Sequence, residues 1–69
     1  MKVKAKLMPK GIKFDDVNLT DGATGLELLK KLNLALDAHI ITRKGSPIPL
    51  DEKLRQGDKI NIIQVISGG

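Results

Sequence analysis

One stretch of this 69-residue chain repeats its leucines at helical spacing, and runs of alternating apolar and polar residues lie on both sides of it. Leu26, Leu29, Leu32 and Leu36 recur three and four residues apart, while Glu27, Lys30 and Lys31 fall on the other side of the same helical wheel. Thr24-Gly25-Leu26-Glu27 fits a capping box, in which the Thr24 hydroxyl accepts from the backbone three residues on and Glu27 reaches back to the cap. The spacing therefore predicts one helix within residues 20–36, starting at Thr24 and ending near Asn33. A lone amphipathic helix cannot bury its own stripe, so it needs a sheet to cover it.

The flanking segments supply that sheet. Residues 1–7 alternate strictly, with Met1, Val3, Ala5 and Leu7 on one side and Lys2, Lys4 and Lys6 on the other, which is the period of a half-buried strand. Met8-Pro9-Lys10-Gly11 supplies turn chemistry. Ile12 and Phe14, then Val17 and Leu19, resume the alternation with a phase shift at Asp15-Asp16 that points to a bulge. After the helix, Ala38 to Arg43 reads as a short strand, Lys44-Gly45-Ser46-Pro47 as a turn, and Ile48 with Leu50 as an edge stub that tolerates proline. Asp51-Glu52-Lys53-Leu54 reads as a single helical turn, and Gln56-Gly57-Asp58 as the turn before the most β-prone run, Lys59 to Ile66. Apolar residues on both faces of that run mark a central strand. The expected fold is α+β: a mixed sheet of four to five strands with one packed helix, in the ubiquitin-like β-grasp order. The first and last strands should be parallel neighbours joined by a right-handed crossover. Residues 1–66 form this domain, and residues 67–69 a flexible tail.

Composition narrows the chemistry. A chain of this length makes one domain with little room for an enclosed catalytic pocket, so it is expected to be a module or partner and not an enzyme. Without cysteine it has no disulfide, thiol nucleophile or thiolate metal site, and His39 alone cannot build a structural zinc site. No stretch approaches the roughly 20 apolar residues that span a bilayer, and the lysine-rich start is not a secretory signal, so a cytoplasmic protein without membrane contact is expected.

The best candidate for chemistry is the end of the sequence, Ser67-Gly68-Gly69, which follows the last strand directly. Two residues without Cβ can enter a slot too narrow for any other side chain, and they present an α-carboxylate. A carboxylate resists nucleophiles at neutral pH, so it must be activated, most simply as an acyl-adenylate. The sequence has no nucleotide-binding loop of its own, so activation falls to a partner enzyme that consumes ATP.

Gly57-Asp58-Lys59-Ile60, followed by Gln64-Val65-Ile66-Ser67-Gly68-Gly69, resembles the closing strand and tail of the ThiS/MoaD family of sulfur carriers, nearest to ThiS across Gln64-Val65-Ile66. Thr24 to Leu29 resembles the same family's helix start, and the resemblance extends from about Thr20 to the end. It implies a carrier, with no cofactor of its own, whose Gly69 is adenylated by a ubiquitin-activating-type enzyme and converted to a thiocarboxylate. Gly68 and Ser67 would give the tail access. Partners would be that enzyme, a sulfur donor and a downstream sulfur-accepting synthase, with the sulfur passing to thiazole, molybdopterin or tRNA synthesis. The carrier would act as a monomer. Archaeal members of this wider group also resemble modifiers that join their terminal glycine to lysines, so a ubiquitin-like modifier linked through Gly69 stays open.

Other signals are bland or secondary. Ile60 and Ile62 can face the helix, which turns Ile63 and Val65 to the opposite face, as a patch for docking the activating enzyme or as residues buried by a bend. Lys2, Lys4, Lys6, Lys10 and Lys13 read first as a solvated face that discourages edge pairing. Their functional reading is steering toward an acidic partner or RNA, as in a TGS-type β-grasp module. A single aromatic, Phe14, leaves no stacking platform for single-stranded RNA, so nucleic acid is not the expected partner. Asp15-Asp16 points to opposite faces of a strand and is no acid–base pair, and His39 reads as a strand residue near the surface.

Overall fold

The computed structural model describes residues 1–65, which form five strands and one helix. Strands β1 (Lys2–Met8) and β2 (Ile12–Asn18) make an antiparallel hairpin, followed by helix α1 (Gly25–Lys31). Strands β3 (His39–Arg43) and β4 (Ser46–Ile48) make a second hairpin, and β5 (Lys59–Gln64) closes the fold. The sheet order is β2-β1-β5-β3-β4, with β5 parallel to β1 and antiparallel to β3. This is the ubiquitin-like β-grasp, with the last strand at its centre.

The alternation in β1 is realised as expected: Val3, Ala5 and Leu7 are buried while Lys2 and Lys4 are exposed. The phase shift in β2 is a bulge. Val3 pairs with Val17 and Ala5 with Phe14, so Asp15 and Asp16 together oppose Lys4, with Asp16 at a φ of 58°. Lys44 and Gly45, at φ 53° and 80°, form the two-residue loop of the β3–β4 hairpin, where two left-handed residues match the strand twist. The turn is thus only two residues, and Ser46 and Pro47 already belong to edge strand β4.

The helix starts and ends where expected, and differs from the expectation in its capping and in which leucines it buries. It is seven residues long, and Asn33 at φ 61° ends it: the Leu34 N–H donates to the Leu29 carbonyl and the Asn33 N–H to the Lys30 carbonyl. That pair of bonds is a Schellman motif, with asparagine in the left-handed position usually held by glycine. The capping box does not form, because Thr24 makes no side-chain cap bond. Backbone carbonyls from the 49–54 segment take its place, Gly25 N–H donating to Glu52 and Leu26 N–H to Leu50 at 3.2 and 2.8 Å. Finally, the fully buried helix residues are Leu28 and Leu29, whereas Leu26, Leu32 and Leu36 are half-buried. Glu27, Lys30 and Lys31 face solvent as expected.

The segment 51–54 is not a helical turn. A turn bond from Glu52 N–H to the Pro49 carbonyl precedes an isolated bridge between Lys53 and Thr24, and Leu54 N–H donates to the Ala23 carbonyl. The segment runs antiparallel to the helix start because that pairing satisfies both sets of backbone groups. Gly25 makes the approach possible, since a Cβ there would overlap the side chain of the fully buried Ile41. The core comprises Val3, Ala5, Leu7, Val17, Leu28, Leu29, Ile41, Leu54, Ile60 and Ile62.

Candidate functional site

Strand β5 carries the candidate docking residue Ile63 and leads to Val65. It is paired on both sides, to β1 from Lys59 through Ile63 and to β3 from Ile60 through Gln64, and its interior face is pinned by buried Ile60 and Ile62. One residue beyond the strand, the Val65 N–H donates to the Ala38 carbonyl at 2.8 Å, extending that hold. The residues named for covalent chemistry, Gly69 with Gly68 and Ser67, lie outside the described residues, as does Ile66.

The candidate docking residues are described. Ile63 alternates away from Ile60 and Ile62, so it lies on the sheet face opposite the helix, half-buried. Val65 is 36% exposed. The register adds two residues that the sequence reading did not join to them. Met8 of β1 and Ile40 of β3 are the Cα partners of Ile63, and Ile40 is 44% exposed. Met8, Ile63 and Ile40 thus make an apolar row across three adjacent strands at the end of the sheet where β5 finishes. The sign of Ile40 was legible, since it alternates with Ile41 in a β-prone run. Its alignment with Ile63 was not, because strand register across the sheet depends on tertiary pairing.

The other end of the same face is basic. Lys4 stands opposite Lys59, and Lys6 opposite Lys13, and these four lysines line a shallow groove together with Asp15 and Asn61. Phe14, the only aromatic residue, pairs with Ala5 and packs against the core on the helix side, so the lysine face holds no aromatic ring.

On the helix side, Arg43 ties the β3 hairpin to the loop before β5. Its Nη2 donates to Glu52 Oε2 at 3.0 Å and its Nη1 to Asp58 Oδ2 at 3.2 Å, while Asp58 Oδ2 also accepts from the Arg55 N–H at 2.9 Å. The Glu52 hydrogen bond is the main reason the guanidinium is held above its already strongly basic range, with Asp58 adding to it and desolvation opposing it. His39 departs from the surface position expected of it: it is 8% exposed, and its Nδ1–H donates to the Ala35 carbonyl at 2.7 Å. That bond closes the loop after the helix. Among the described residues no group of three or more histidines and carboxylates could hold a metal, and no helix is long and apolar enough to cross a membrane.

Comparison with known proteins decides the family, because the model of the ThiS family matches residues 9–69. The chain belongs to the ThiS family. No curated protein matches it. Among solved structures, this ThiS-family chain is similar to the crystal structure of SAMP1 from Haloferax volcanii, with a TM-score of 0.75, 19% identity and 100% of each chain covered. It is also similar to a structure described as Caldiarchaeum subterraneum ubiquitin, with a TM-score of 0.67, 22% identity, and 100% of this chain and 98% of that one covered. At those identities the likeness establishes the shared ubiquitin-like fold. The family match begins eleven residues before Thr20, where the sequence resemblance starts, and so takes in the turn and second strand of the first hairpin.

Proposed function

We propose that this protein is a sulfur carrier whose Gly69 carboxyl group is the reactive centre. The observation that carries the reading is the ThiS-family match running through residue 69, on a fold whose central, doubly paired strand leads in sequence straight into Ser67-Gly68-Gly69. In the first step a carboxylate oxygen attacks the α-phosphorus of ATP in the partner enzyme, and pyrophosphate leaves. Sulfur at the sulfide level then attacks the acyl carbon, AMP leaves, and a thiocarboxylate remains. The chain contributes the acyl group and a rigid handle; the partner contributes nucleotide, sulfur donor and catalytic groups. Neither Gly68 nor Gly69 has a Cβ to obstruct the reacting carbon. The apolar row of Met8, Ile63 and Ile40, with Val65 beside it, is the docking surface for the activating enzyme. Expected downstream users are thiazole, molybdopterin or tRNA-thiolating synthases, in the cytoplasm.

Incubation with the cognate activating enzyme, ATP and a sulfur donor should exchange one terminal oxygen for sulfur. The same adenylate could instead be attacked by a lysine amine to give an isopeptide. The fold shared with a protein described as ubiquitin supports testing for this. Gly-Gly remnants on lysines of other proteins would distinguish a modifier from a carrier.

A further inference from the structure

The lysines of the open sheet face do not have the placement that edge protection requires. Lys4 and Lys6 lie on β1 and Lys59 on β5, and both strands are interior to the sheet, each hydrogen-bonded on two sides. Only Lys13 is on an edge strand. Moreover, the register sets like charges directly opposite one another, Lys4 against Lys59 and Lys6 against Lys13, an arrangement that destabilises a sheet. Among the described residues the ion pairs involve the Met1 ammonium and Arg43, and none of these four lysines, although Asp15, which lines their groove, and Asp16 stand across the bulge from Lys4. Opposed lysines on central strands carry a repulsive cost that an anionic surface laid over them would offset.

We propose that this lysine ladder, Lys4, Lys6, Lys13 and Lys59, is an interaction surface for an acidic patch on the activating enzyme. The inference rests on the carrier reading above. A protein partner fits better than a nucleic acid because the basic ladder and the apolar row of Met8, Ile63 and Ile40 share one sheet face. Together they form an apolar spot with a charged flank, as protein interfaces have, and the face has no ring on which a base could stack. The ladder steers encounter and fixes orientation, while the apolar row supplies contact near the end of β5.

The test measures the KM for the full-length chain in adenylation by its cognate enzyme across a sodium chloride series. Two ladder variants, Lys4→Gln with Lys59→Gln and Lys6→Gln with Lys13→Gln, are compared with a charge-matched control, Lys30→Gln with Lys31→Gln, on the exposed helix face. Each ladder variant should raise KM by about fivefold to tenfold at low salt and flatten its salt dependence, with kcat unchanged. The thermal midpoint of each variant is measured alongside, and a midpoint within a few degrees of wild type separates weaker activation from misfolding. KM within twofold of wild type in both ladder variants overturns the proposal, and so does an equal shift in the control, which would make net charge alone responsible. Ladder-dependent binding to a single-stranded RNA oligomer with KM unchanged overturns it in favour of nucleic acid. A wild-type chain that is not adenylated at all sinks the carrier reading as well, whereas normal adenylation indifferent to the lysines sinks only this inference.

Discussion

Arg43 Nη2 donates to Glu52 Oε2 at 3.0 Å, across nine residues of sequence, and through this bond the β3 hairpin holds the segment that caps the helix. Replacing Arg43 with methionine keeps the aliphatic stem and removes the fork. The expected result is a lower thermal midpoint and faster amide exchange at Gly25 and Leu26, whose acceptors belong to the loop that Arg43 restrains. The pH behaviour follows from the direction of the arginine shift. A folded pKa raised above the unfolded one gives stabilisation that is fully present below the unfolded pKa and lost only as pH rises through the folded value. The difference in midpoint between wild type and Arg43→Met should therefore be constant from about pH 6 to about pH 9. A difference that vanishes by the upper end would show that the fork is not the source.

Gly25 and Ile41 form a second coupled pair. Alanine at position 25 adds helix propensity but drives a methyl group into Ile41, which is fully buried and has little room to yield. Gly25→Ala should cost about 1–2 kcal/mol in denaturant unfolding. In an Ile41→Val background, which lacks the overlapping Cδ1, the same change should cost at least about 0.5 kcal/mol less. Equal costs in both backgrounds would place the strain elsewhere.

The β3–β4 loop leaves stability to be gained. Lys44 sits at φ 53°, a conformation that asparagine accepts more readily than lysine, and Gly45 follows it. Lys44→Asn should stabilise the domain by about 0.5–1 kcal/mol, read from the unfolding midpoint at constant m-value.

The apolar row should matter for activation and not for folding. Changing Ile40 and Val65 to threonine retains β-branching while removing exposed apolar surface, so stability should move by no more than about 1 kcal/mol. The KM for the chain in adenylation should rise about tenfold, corresponding to loss of two contacts from the centre of a small interface. An unchanged KM would show that this face does not meet the enzyme.

Much of this architecture is legible in the amino-acid sequence. Lys2, Lys4 and Lys6 alternating with Val3, Ala5 and Leu7 marked β1, the Asp15-Asp16 phase break marked the bulge, and Ile60 and Ile62 within an apolar run marked the central strand. These are local periodicities, which survive whatever the rest of the chain does. What could not be read depends on distant partners. Thr24-Gly25-Leu26-Glu27 has the letters of a capping box, but carbonyls from residues 50 and 52 occupy the helix start. Leu28 was absent from the expected stripe because the helix buries its side toward both the sheet and the 49–54 segment, a wider arc than one row of leucines. His39 looked solvent-facing until the loop after the helix folded back to offer the Ala35 carbonyl. At the candidate site, Ile63 and Val65 were identifiable from strand parity, whereas Met8, Ile40 and the opposed lysines emerged only with the register.

Intact-mass spectrometry shows whether Gly69 takes up sulfur. After incubation of the full chain with its cognate activating enzyme, ATP and a sulfur donor, the mass should rise by the replacement of one oxygen with sulfur, mapped to Gly69. Deleting Gly69 should abolish the change while leaving the unfolding midpoint unaltered. An unchanged mass with a partner verified to be active, or a sulfur that appears just as readily without Gly69, would show that Gly69 is not the sulfur-bearing residue.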